Sequence, residues 1–163
     1  MHNFSPQSKV WVYQSNRPFT ADEEATLNGA LAQFTQQWTA HNQQLKAIGE
    51  VRNNRFIILM VDETQAEASG CSIDKSVHFI KEVESHYGVA LFNRLLVSYE
   101  VNGEVRTTDV NALKNLFETG EINQDTLVFN ALVTTKEQLD SQWQQSIGQT
   151  WMKRYLPKQT LQS

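Results

Sequence analysis

The first apolar run of the chain, Val10 to Tyr13, sits between polar flanks and predicts a strand over Lys9 to Gln14. Ser15 to Pro18 break the pattern. Thr20 and Glu23 have the spacing of a capping box, so a helix opens there. Leu27, Ala30, Leu31, Phe34 and Trp38 follow at intervals of three or four, which puts them on one buried face. A second strand is predicted over Gln44 to Arg52. Asn53-Asn54 suits a hairpin turn, because Asn tolerates positive φ. The third strand, Arg55 to Asp62, is apolar on both faces, which marks a central place in a sheet. A loop from Glu63 to Cys71 leads to a second helix carrying Ile73, Val77, Ile80, Val83 and Tyr87, stopped by Gly88. A fourth strand, Arg94 to Val101, turns through Asn102-Gly103 into a fifth at Glu104 to Thr107.

This β-α-β-β-α-β order is the ferredoxin-like pattern of α+β proteins. It predicts a ferredoxin-like sandwich over residues 1–101, with the first and third strands central and parallel to each other. The fifth strand adds beside the fourth. Residues 102–163 read as a mainly helical extension. Asp109 is placed to cap a helix carrying Val110, Leu113, Leu116 and Phe117, stopped by Gly120. Thr126 to Val133 is extended. Thr134 and Glu137 have capping-box spacing and open a helix with Leu139, Trp143 and Ile147. A last turn holds Trp151, Tyr155 and Leu156, closed by Pro157. These aromatic residues are expected to pack inside.

Composition narrows the function classes. Lys plus Arg number 14 against 18 for Asp plus Glu, a formal charge of −4 over 163 residues. That leaves no cationic excess to neutralise phosphates, so neither nucleic acid nor an anionic membrane is an expected partner. The longest purely apolar run is Phe56 to Val61, far short of the roughly 20 residues of a spanning helix. Met1 to Lys9 has no apolar signal-peptide core, so a cytoplasmic location is expected. The single cysteine, Cys71, excludes an internal disulfide and a cysteine-based zinc site. No cofactor or metal site is expected.

Two stretches have the flavour of a nucleotide-binding ATPase. Phe56 to Glu63 is similar to a Walker B strand ending in Asp-Glu. Gly70-Cys-Ser-Ile-Asp-Lys75-Ser76 is similar to a P-loop fragment, but it is one residue short and lacks the second Gly. Asp74 also puts negative charge where phosphate belongs. A genuine P-loop ATPase is excluded on these grounds. Trp11 to Arg17, Asn54 to Glu63, Ala68 to Lys81 and Leu127 to Val133 together resemble a group of small bacterial proteins often labelled "ABC transporter ATPase". Kinship is what that resemblance implies, with no mechanism attached. Tyr99 to Trp151, with Asn102-Gly103, Leu113 to Gly120 and Asp125 to Phe129, is similar to GYF-like peptide-binding modules. Arg106-Thr107-Thr108 replaces the Gly-Pro-aromatic motif with which such modules hold proline-rich peptides.

With the first and third strands parallel, Ser15 to Pro18, Asp62 to Ser72 and Asn93-Arg94 converge on one edge. Both helices begin there, offering unpaired N–H groups and partial positive charge. Ser69, Gly70, Cys71 and Ser72 are expected to wrap amides around a small anion, phosphate or carboxylate. Arg17, Lys75 and Arg94 would add charge. The plainer alternative makes Ser69 or Ser72 a simple helix cap and pairs the arginines with Asp62 or Glu63. Cys71 is also the candidate nucleophile of a thiol-dependent enzyme, since a helix N-terminus and Lys75 favour a thiolate. His78, seven residues on, is roughly 10 Å away along the helix, too far for a direct pair. His78 and Glu82 read as a solvated surface pair. Three functions follow: an anion-binding domain, a protein-interaction module with a groove lined by Leu127, Phe129 and Trp143, and a thiol enzyme. Ferredoxin-like domains often pair through their sheets, so a homodimer is expected by analogy.

Overall fold

The computed structural model describes residues 1 and 3–157. The chain is α+β throughout and forms two compact units. The first comprises Met1–Asn93 and Ala131–Ser141; the second comprises Arg94–Asn130 and the segment from Gln142. The division expected after Val101 is therefore corrected. It would cut the second unit's hairpin from the chain that follows, and it misses the return of Ala131–Ser141 to the first unit.

In the first unit, β1 (Lys9–Gln14), β5 (Phe56–Asp62) and β4 (Lys46–Arg52) form a sheet in the order β1-β5-β4. Every residue of β5 is buried, as its unbroken apolar run requires. A short hairpin, β2 (Thr39–Ala40) and β3 (Gln43–Gln44), precedes β4 and turns through His41 and Asn42, both at positive φ. Helices α1 (Ala21–Gln37) and α2 (Gly70–Tyr87) share a core with the sheet residues Val51, Ile57, Leu59 and Val61. Phe34 of α1 stacks on Phe79 of α2 at 4.5 Å. Gly49 permits the closest approach of α1: a Cβ there would lie 3.1 Å from the Leu31 and Leu59 side chains. The expected capping box opens α1, with Thr20 and Glu23 exchanging side-chain and backbone bonds. Gly88, at φ 65°, ends α2.

The pairing of β1 with β5 is antiparallel, with Lys9 opposite Val61 and Gln14 opposite Phe56. The expected parallel pair is corrected, and the reason is chain direction. The crossover through α1 makes β1 and β4 run the same way. The three-residue turn of Asn53, Asn54 and Arg55 (φ 53° and 48° at the asparagines) reverses β5 against β4, and so against β1. The four-stranded ferredoxin-like sheet is not formed either, because the predicted fourth strand pairs elsewhere. The outer edge of β1 is met by the returning segment instead. The Val10 amide donates to the Thr134 carbonyl at 2.9 Å, and Lys9 bridges Thr135.

The second unit is built on that fourth strand. β6 (Leu96–Val101) and β7 (Glu104–Asp109) form a hairpin through Asn102-Gly103, both at positive φ. With β8 (Leu127–Phe129) and β9 (Gln144–Ser146) they give the sheet β7-β6-β8-β9. Asp109 caps a short 3-10 turn that runs into α3 (Leu113–Thr119), stopped by Gly120 at φ 83°. Val97, Tyr99, Leu113, Phe117, Ile122, Val128, Ile147 and Met152 form the core.

Two expectations about the tail change. The helix carrying Leu139, α4 (Lys136–Gln142), stops before Trp143, because the next residues pair with β8 as β9. Its cap is displaced by one residue: Thr135 accepts from the Gln138 amide, and Gln138 reaches back to Thr134. Trp151 is 45% exposed rather than packed inside.

Candidate functional site

Antiparallel pairing of β1 and β5 decides which of the expected anion ligands can meet. β1 ends where β5 begins, so Ser15 to Pro18 lie at the opposite end of the sheet from Asp62 and the start of α2. Arg17 accordingly sits at the far end of α2, a helix roughly 27 Å long. Its Nη2 donates to the Tyr87 carbonyl at 2.6 Å. Nη1 and Nη2 also grip both oxygens of Glu23 at 2.8 and 2.9 Å. This fork leaves Arg17 no role at the α2 N-terminus, and it holds the Glu23 carboxyl at about 2.

At the α2 N-terminus the cap is closed on itself. Ser69 accepts from the Ser72 amide, and Ser72 Oγ accepts from the Ser69 amide at 2.7 Å while donating to the Ser69 carbonyl at 2.8 Å. Ser72 is fully buried, and its carbonyl takes the indole N–H of Trp38 at 2.8 Å. Both serines are thus spent on the helix start, and the capping alternative describes them. Gly70 and Cys71 stand exposed on the first turn and Lys75 on the second. Arg94 is exposed and belongs to the second unit, not to the unit that carries α2. The expected seven-residue set is therefore split between α2's two ends and between two units.

The Asp-Glu pair after β5 is structural. Asp62 is buried and accepts from the amides of Ser5 (2.9 Å) and Thr64 (3.0 Å), from the Thr64 hydroxyl (2.8 Å) and from Lys46 (3.4 Å). The backbone bonds from Ser5 and Thr64, foremost, hold its carboxyl far below the usual carboxylate range. Glu63 takes the Ala68 amide at 2.9 Å and pairs with Lys9 at 3.3 Å. Both carboxylates fasten chain segments. His78 and Glu82 form the expected exposed pair at 3.1 Å. Among the described residues, no group of three metal-ligating side chains comes together. No helix there is long and apolar enough to cross a membrane.

Cys71 is exposed, and its sulfur makes no hydrogen bond among the described residues. Alkylation of the native protein is therefore expected to proceed within a few-fold of the rate for the unfolded chain. A thiol titration with and without denaturant checks this; strong native protection would contradict the exposure.

The groove expected at Leu127, Phe129 and Trp143 is not open. Phe129 is buried and packs edge-on against Trp143, with only Leu127 exposed. Arg106 of β7 is committed to Glu104 and Glu121, and Tyr99 donates to Glu121 at 2.7 Å. Burial, reinforced by Glu121, pushes the Tyr99 hydroxyl up to about 12.

The residue that sequence reasoning passed over is Arg55. It lies in the sheet end where β1 stops, β5 starts and α2 terminates. The Ser15 amide donates to its carbonyl at 2.9 Å, and the Phe19 amide donates to Asn54 at 2.7 Å, so the backbone there is tightly held. Arg55 is only 7% exposed. Its Nη1 has a long bond to the Ser15 carbonyl, 3.4 Å, and its Nε is sealed from solvent without an acceptor. No carboxylate pairs with it among the described residues. Burial lowers its pKa, yet a guanidinium stays charged at neutral pH. The available signal was an arginine opening an apolar run directly after Asn53-Asn54. No family model, curated protein or solved structure matches this chain.

Proposed function

We propose that the chain is a binding protein whose first unit takes an anionic group, carboxylate or phosphate, at Arg55. The anion-binding function expected from sequence is kept, and its place moves to the other end of β5. The observation that carries this reading is a guanidinium buried with no counter-charge among the described residues and an Nε with no acceptor there. An unpaired charge costs several kcal/mol to bury, and a group that cannot discharge must be matched by something else. An anion supplies both the charge and the missing acceptor. Ser15, fully buried beside it in the backbone, offers the guanidinium one long contact at 3.4 Å through its carbonyl.

The test is thermal unfolding in acetate or inorganic phosphate against chloride at equal ionic strength. A ligand that binds only the folded state raises the midpoint as its concentration passes the dissociation constant. The wild type is expected to rise in at least one of the two anions, and Arg55→Met is expected not to respond. Equal responses of the two proteins would place the binding elsewhere and overturn the assignment.

A further inference from the structure

We infer that the anion taken at Arg55 is a single carboxylate gripped side-on by the Nε–Nη2 edge of the guanidinium. This rests on the anion-binding reading above and deepens it.

Charge around this end of the sheet argues for a monoanion. Arg17 is matched by Glu23 through two bonds, at 2.8 and 2.9 Å. Arg52 is matched by Glu50. Glu84, near the end of α2, already accepts the Leu91 amide at 2.7 Å and makes no ion pair with Arg55. The C-terminal carbonyls of α2 add partial negative charge, since Tyr87 and Glu84 lie in its last turn. The Arg55 guanidinium is thus left without an ion-pair partner among the described residues. A carboxylate neutralises it; a phosphate dianion brings a second negative charge towards carbonyls and Glu84, where nothing receives it.

Geometry agrees. Nη1 is turned to the Ser15 carbonyl. The other edge, Nε and Nη2, makes no hydrogen bond among the described residues, and its two N–H groups are parallel. Two parallel donors match the two oxygens of a planar carboxylate. Nε has no acceptor among the described residues, and a carboxylate held on this edge supplies one.

The Arg55 Nε–H resonance of isotope-labelled wild-type protein reads this directly. Acetate is expected to shift it at concentrations where inorganic phosphate, at equal ionic strength, does not. Two further probes distinguish the source of the carboxylate. If acetylated triglycine shifts the signal and its amide does not, the site accepts a peptide C-terminus. If acetate acts and the peptide acid does not, the site takes a free small acid. Either outcome supports the inference. Phosphate acting as strongly as acetate overturns the carboxylate assignment and leaves an anion site. A signal that moves with none of the probes overturns both. Arg55→Lys keeps the charge and loses the parallel donors, so acetate binding should weaken by about tenfold or more; unchanged binding would remove the side-on grip.

Discussion

An Asp62→Ala variant is expected to lose about 2–4 kcal/mol of stability. Truncation would leave the Ser5 and Thr64 amides, the Thr64 hydroxyl and Lys46 without their shared acceptor at a position where the wild-type side chain is 4% exposed. Those four donors come from three separate stretches of chain. One carboxylate therefore ties the N-terminal segment, the start of β4 and the loop after β5 together. Denaturant unfolding checks the loss; a change below about 0.5 kcal/mol, the usual span of a surface substitution, would show the cluster to be dispensable. The same residue shapes the acid limb. Its folded pKa is depressed, so its contribution is complete above the unfolded value of about 3.9 and is lost as pH falls below it. In that range the unfolded chain takes up a proton that the folded protein refuses, and stability falls by about 1.4 kcal/mol per pH unit for this group. Glu23, held at about 2 by Arg17 and by the Thr20 amide, acts in the same direction between about pH 4 and 2. Asp62→Asn should flatten the limb by one proton, and an unaltered slope would contradict the assignment.

Arg55→Met is expected to do the reverse and raise the stability of the unliganded protein by about 1–4 kcal/mol. Met fills the stem of the arginine as far as Nε and brings no charge to desolvate and no donors to satisfy. Among the described residues, the only bond lost is the 3.4 Å contact with Ser15, too long to contribute much. Denaturant melts in chloride alone measure the difference. A destabilised variant would mean that Arg55 is a scaffold residue whose charge is balanced within the fold, and the binding reading would fall with it. Higher stability joined to lost anion response is the signature of a site kept for function at the expense of the fold.

The parts of the fold governed by neighbours in sequence were legible. Thr20 with Glu23, Gly88, Gly120, Asn53-Asn54 and Asn102-Gly103 act within a few residues, and each stands where the pattern placed it. β5 was recognisable as central because only a strand covered on both faces is apolar throughout. Pairing partners were not legible. The strand at Leu96 alternates no differently whether it joins β1 or opens a second sheet. Strand direction was within reach: a helical crossover followed by a short turn already fixes β5 antiparallel to β1. Missing that step brought Arg17 to the wrong end of α2. The cap slipped from Thr134 to Thr135 because two adjacent threonines offer equal hydroxyls, and only the contact of this segment with Ser8 and Val10 selects between them.

The return of Ala131–Ser141 to the first unit has a consequence for synthesis. On the ribosome, β1, β4 and β5 emerge early, but the outer edge of β1 has no partner until Thr134 and Thr135 appear. By then Arg94–Asn130, the larger part of the second sheet, has already been made. The first unit is thus completed late, and the nascent chain carries an open strand edge in the meantime. A fragment ending at Asn93 would keep that edge permanently, so the two units cannot be separated by a single cut without exposing a surface that invites another chain.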